Sequence, residues 1–223
     1  MVCVDPNDIP CCAIIDAELM YSLPKGTTAA TGMDALTHAI EGYITKAAWE
    51  LSDMFEIEAI RLINKYLRQA VYDPKNPAGR SGMALAQYVA GMAFSNVGLG
   101  VVHGMAHPMG SLFDIPHGVA NALLLPTIME YNKPVCIDKY VEIAKAMDAY
   151  KEGMTKAEAA QAACDAVRAL AIEVGIPQHL SDLGITAKDI DALADQAIED
   201  VCTPGNPRLV TRQDIVELYK KVL

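Results

Sequence analysis

The chain reads as an all-α protein, a helical bundle preceded by one short strand. Three observations point there. Apolar residues make up 52% of the 223 residues but aromatics only 6%, so the core is built from Ala, Leu, Ile, Val and Met. Past residue 24, apolar positions recur at helical rather than alternating spacing. Helix start signals also recur, with Thr followed by an acid three residues later.

The exception comes first. Ile9–Asp16 (IPCCAIID) is a brief apolar run ending in Asp, the pattern of a buried strand, and Leu23-Pro24-Lys25-Gly26 marks a turn after it. A lone strand has unpaired edges, so it is expected to pack on another copy or to be the remnant of a larger sheet.

Helices follow from Thr28. The first covers Thr28–Ile44. Leu51–Tyr72 is amphipathic, with Phe55, Ile57, Ile60, Leu62, Ile63 and Leu67 on its apolar positions. Asp73–Gly82 carries proline and glycine and reads as a loop. Met83–Phe94 is almost wholly apolar or small and is expected at the centre of the bundle. Helices are next predicted over His117–Met129 and Val135–Met147. Thr155-Lys-Ala-Glu158 is a capping box opening Thr155–Val174, which Gly175-Ile-Pro177 ends. Thr186…Asp189 and Thr211…Asp214 open the last two helices, with a turn at Gly205-Asn-Pro207-Arg208 between them.

Composition narrows the function. The net charge is −10 and basic residues are scattered, which argues against nucleic acid or an anionic membrane as partner. No apolar run reaches transmembrane length and the first residues do not form a signal peptide, so a cytoplasmic protein is expected. Six cysteines (3, 11, 12, 136, 164 and 202) form no CxxC pair, and read as neither a disulfide framework nor a zinc ribbon. Cys164, in an alanine-rich helix, reads as a core residue.

The chemistry gathers in Gly98–Asn121, GLGVVHGMAHPMGSLFDIPHGVAN, which holds three of the five histidines. Imidazoles in so apolar a setting are costly unless something binds them, and neutral imidazole is the commonest side-chain metal ligand. The alternative is a set of core histidines hydrogen-bonded to backbone. His103 and His107, four apart, share a helix face. His117 lies beyond breaks expected at Gly110 and Pro116, so a second element must bring it in. A second constellation, Asp34-x-x-x-His38-x-x-Glu41, sits on one face of an otherwise apolar helix. Together the two offer six nitrogen and oxygen donors without sulfur, a set suited to ferrous iron or zinc. Spacing alone does not say which of the six are ligands. The chain has no HExxH motif and no His-Asp dipeptide. Gly98-Leu-Gly100 starts like a phosphate loop, but no strand precedes it, so its glycines read as allowing close packing or a kink.

The segments TGMDALTHAIEGYIT, QYVAGMAFSNVGLGVVHGMAHPMG, PHGVANALLLP, VGIP and DVCTPGNPR resemble the iron-containing (group III) alcohol dehydrogenases, and the likeness runs over essentially the whole chain. The resemblance implies that Asp34, His38, His103 and His117 bind the metal, Fe2+ or alternatively Zn2+. It makes His107 the catalytic residue beside nicotinamide and substrate, and Glu41 a supporting residue. It places His107, His117 and Cys202 next to the NAD(H) cofactor. It also implies that residues 1–27 are the last strand and linker of an N-terminal nucleotide-binding domain that is not in this chain, and that 28–223 form the helical metal-binding domain. The implied reaction is interconversion of a short aldehyde and alcohol, lactaldehyde and 1,2-propanediol, by an enzyme whose candidate assembly is a homodimer. The competing expectation is a metal-binding helical domain without turnover on its own.

Overall fold

A computed structural model of the chain describes Asp5, Asn7 and residues 9–223. Among the described residues there are nine α-helices and no strand. The strand expected over Ile9–Asp16 does not form. That segment is irregular and unpaired, and Ile14 is 89% exposed. A strand is completed by a hydrogen-bonding partner, and no described segment of this chain offers one. Asp16 instead caps a short 3-10 turn over Ala17–Met20, its carboxylate accepting from the amide of Glu18.

Helix α1 (Lys25–Ile44) occupies the middle of the bundle. It packs against α2 (Glu50–Tyr72), α3 (Pro77–Val97) and α5 (His117–Asn132). Met33, Leu36, Ala39 and Ile40 on it are fully buried. α3 begins where a loop is expected. Asn76 caps it by accepting from the amide of Gly79, and Pro77 is its first residue, where a missing N–H costs nothing. α3 is also less central than its composition predicts, because Leu85, Tyr88 and Met92 lie on an outer face and are each more than a third exposed. From the first turn of α3, the buried Arg80 donates to the carbonyls of Pro74 and Leu23 and to Thr28 Oγ1, tying the segment before α1 to the bundle.

Between α3 and α4 (Val101–Phe113) the chain turns through 103° at Gly98, whose φ of +77° favours glycine. α4 runs through Gly110, where a break is expected, and stops at Asp114 in the left-handed region. Pro116 then leads into α5. α4 and α5 pack against each other, so the two histidine-bearing elements are neighbours. The last third follows its capping signals. Thr155 and Glu158 open α7 (Lys156–Glu173), which packs on α6 (Ile137–Ala146), and Thr211 and Asp214 open α9 (Arg212–Lys221). Thr186 and Asp189 do pair, at 2.7 Å, but within a turn that precedes α8 (Ile190–Ile198). α8 lies against both α4 and α9. Cys164 is fully buried, and Cys11, Cys12, Cys136, Cys164 and Cys202 are all free thiols. No single described helix is long and apolar enough to cross a membrane.

Candidate metal centre

Three helices converge on one point. α1 contributes Asp34 and His38 one turn apart, α4 contributes His103, and α5 contributes His117 from its first position. One donor atom from each of the four lies within 4.8 Å of all the others. α5 comes this close to α1 because Gly118 has no side chain; a Cβ there would sit 2.6 Å from the carbonyl oxygen of Ala30. α4 reaches α1 in the same way at Gly100, where a Cβ would lie 2.8 Å from a carboxylate oxygen of Glu41.

Two of the three rings, those of His38 and His103, are aimed by a bond on the far nitrogen. His38 Nδ1 donates to the carbonyl of Asp34 at 2.9 Å. His103 Nδ1 donates to Glu41 Oε2 at 2.6 Å, deep in the core. Glu41 also accepts from the amides of Val102 and His103, two of the free N–H groups at the start of α4. With both Nδ1 protons committed, the Nε2 atoms of His38 and His103 face each other at 3.2 Å carrying lone pairs. Burial, and then the neighbouring His103, push the His38 imidazole down to about 4 against the pull of Asp34. Burial also holds His117 below its usual value. Two facing lone pairs with no proton between them repel, and a cation between them removes the conflict. Neutral rings and a carboxylate are also the forms that bind metal. Three imidazoles and one carboxylate therefore fit a divalent ion such as Fe2+ or Zn2+.

Asn121, one turn after His117 on α5, holds two of the four. Its amide donates to Asp34 Oδ1 at 2.6 Å and contacts His117 Nε2 at 3.0 Å, while its own Oδ1 is buried without a partner. The His117-x-x-x-Asn121 spacing was the signal available for it in the sequence. The cradle opens on the side of His117, whose side chain is 44% exposed. A cavity of about 370 Å³ lined by Thr31, Asp34, His38, Met83 and Phe94 adjoins it.

His107 and Cys202 fall in a second cluster beside the first. The His107 ring stacks on that of His117 with centroids 5.5 Å apart. His107 Nδ1 lies 2.7 Å from Asp200 Oδ2, and the other oxygen of Asp200 accepts from the amide of Cys202. Burial, and then Asp200, push the Cys202 thiol up to about 12, so it is no thiolate nucleophile. Asp200 lies 93 residues from His107, and no local pattern in the sequence marks it.

Comparison with known proteins places the chain in a family. Residues 28–223 fit the profile of the Fe-containing alcohol dehydrogenase family, C-terminal. The chain belongs to that family. Lactaldehyde reductase of Escherichia coli (strain K12) is 58% identical over 218 residues, which are 98% of this chain and 56% of that protein. The 1,3-propanediol dehydrogenase of Citrobacter freundii is 44% identical over 220 residues, covering 99% and 57%. A crystal structure of 1,3-propanediol oxidoreductase superposes with a TM-score of 0.92 at 45% identity, over 93% of this chain and 55% of that one. The chain thus spans about half the length of the family members it matches.

Proposed function

We propose that the chain is the metal-binding part of an oxidoreductase that interconverts a short aldehyde and its alcohol, lactaldehyde and 1,2-propanediol, with NAD(H). The observation that carries this reading is the cradle itself, with four donors on three helices and two Nε2 lone pairs 3.2 Å apart. Asp34, His38, His103 and His117 would hold the ion, Fe2+ or Zn2+. When bound, it supplies Lewis acidity to a substrate oxygen, while the nicotinamide supplies or takes the hydride. Glu41 aims His103, and Asn121 aims Asp34 and His117. His107 stands beside the cradle with Nε2 as its free nitrogen, able to take the hydroxyl proton in alcohol oxidation and return it in aldehyde reduction. Cys202 and the face of His117 belong to the cofactor side. The partners on this reading are a small aldehyde or alcohol and the nicotinamide, with no nucleic acid and no membrane. Homodimeric assembly and a cytoplasmic setting form part of the same proposal.

The test is anaerobic loading with Fe2+, followed by metal analysis and NADH oxidation with lactaldehyde. His103→Ala is expected to lose metal and turnover together; a variant keeping both overturns the assignment. A second reading is a metal-binding domain silent on its own. Titration of the metal-loaded chain with NADH separates the two, since absence of binding at full metal occupancy supports the silent domain.

A further inference from the structure

The turn over residues 197–205 is built to present one carboxylate. Thr203 Oγ1 donates to the carbonyl of Ala197 at 2.6 Å, and the amide of Thr203 donates to the carbonyl of Asp200 at 3.1 Å. Asp200 itself closes an Asx turn by accepting from the amide of Cys202 at 2.9 Å. The turn is seated on α4 at Gly104, where Thr203 Oγ1 occupies the space of a Cβ. Gly104 and His107 are three apart and share a face of α4. The docked turn therefore meets His107 with Asp200 Oδ2, 2.7 Å from Nδ1. Both side chains are mostly buried, with Asp200 16% and His107 28% exposed, so water competes weakly for the bond.

We propose that Asp200 is the positioning residue of His107, fixing its ring in the Nδ1–H tautomer so that Nε2 is the basic nitrogen. A neutral imidazole has one donor and one acceptor nitrogen, and a carboxylate accepts only, so the proton is drawn to the nitrogen it faces. The arrangement is that of a carboxylate holding an imidazole for proton transfer, in which replacing the acid by its amide leaves the shape but reverses the tautomer. When Nε2 takes a proton, the imidazolium is countered by the adjacent Asp200 charge, and Nδ1 keeps its own proton throughout. The proton work rests on the proposed function, whereas the tautomer does not.

The experiment reads the tautomer directly. In the metal-free chain labelled with 15N-histidine, long-range 1H–15N spectra are expected to show His107 as Nδ1–H, assigned by its loss in His107→Gln. In Asp200→Asn, which is nearly the same size, the ratio of tautomers is expected to shift toward Nε2–H by about tenfold or more. Zinc affinity, measured by competition with a chromophoric chelator, is expected to stay within about twofold of the unaltered chain, because Asp200 is not one of the four cradle residues. An Nε2–H ring in the unaltered chain, or an unchanged ratio in a folded Asp200→Asn, overturns the proposal. So does a tenfold loss of zinc affinity, which would make Asp200 part of the metal cradle. Failure of the unaltered chain to bind zinc would count against the proposed function and leave the tautomer result to stand on its own.

Discussion

Glu41 and His103 lie 62 residues apart along the chain and meet at 2.6 Å in a fully buried pair, with Glu41 Oε2 facing His103 Nδ1. One carboxylate thus does two tasks. It satisfies amides at the start of α4, and it fixes the tautomer that turns His103 Nε2 toward Asp34 and His38. Outer partners of metal-bound imidazoles govern affinity. Glu41→Gln is expected to weaken zinc or ferrous binding by about 10- to 100-fold while helix content stays unchanged by circular dichroism. An unaltered affinity would detach Glu41 from the metal site.

Glu56 supplies a pH dependence. Both its carboxylate oxygens are buried with no partner, in space left open by Gly42. Burial, and then Asp53, raise its pKa from 4.5 to about 9. Because the folded value lies above the unfolded one, its contribution is fully present below pH 4.5 and is lost as pH rises toward 9. Glu56→Gln removes the ionisation. Relative to the unaltered chain, the variant is expected to gain stability with rising pH at up to about 1.4 kcal/mol per pH unit over that window. Denaturant unfolding at pH 5 and pH 8 measures the difference, and parallel behaviour of the two proteins would contradict it.

Gly118 sets the distance between α1 and α5. A methyl group there meets the Ala30 carbonyl oxygen at 2.6 Å and its carbon at 2.8 Å, and backbone cannot rotate out of the way as a side chain can. Gly118→Ala is expected to cost about 1–3 kcal/mol through overpacking and to move His117 away from Asp34. Thermal unfolding gives the first quantity, and zinc titration shows the second as a weakened affinity. Full stability in the variant would mean that the helices part more easily than this contact implies.

A metal ion that binds the folded chain alone stabilises it by mass action. With free zinc at about 100 times its dissociation constant, the gain is about 2.7 kcal/mol, and chelation removes it. Calorimetry is expected to show a higher melting temperature with metal in the unaltered chain and no metal-dependent shift in His103→Ala. An equal shift in both would place the metal elsewhere.

Legibility differed from element to element for physical reasons. The capping boxes at Thr155 and Thr211 were readable because both partners lie within four residues. α3 starts six residues before the expected Met83 because Pro77 stands in its first turn, where proline is favoured rather than disruptive. The Ile9–Asp16 strand failed because apolar patterning shows what a segment can bury, while a strand also needs a neighbour. The outer face of α3 is not legible in the sequence, because an almost wholly apolar stretch has no polar stripe to tell one side from the other. Among site residues, Asn121 had a signal in its spacing from His117, and Asp200 had none.

The sequence by itself determined the helical class, the six candidate donors and the pairs that share a turn, Asp34 with His38 and His103 with His107, because helix spacing is local. It also carried the family through its motifs. Only the tertiary structure decided that α1, α4 and α5 meet at those donors and that His107 belongs with Asp200 rather than with its neighbour His103. Those choices depend on approaches between distant segments at Gly100, Gly104 and Gly118, where the absence of a side chain leaves room for the Glu41 carboxylate, the Thr203 hydroxyl and the Ala30 backbone. A glycine in a sequence does not say which partner will fill the space it leaves.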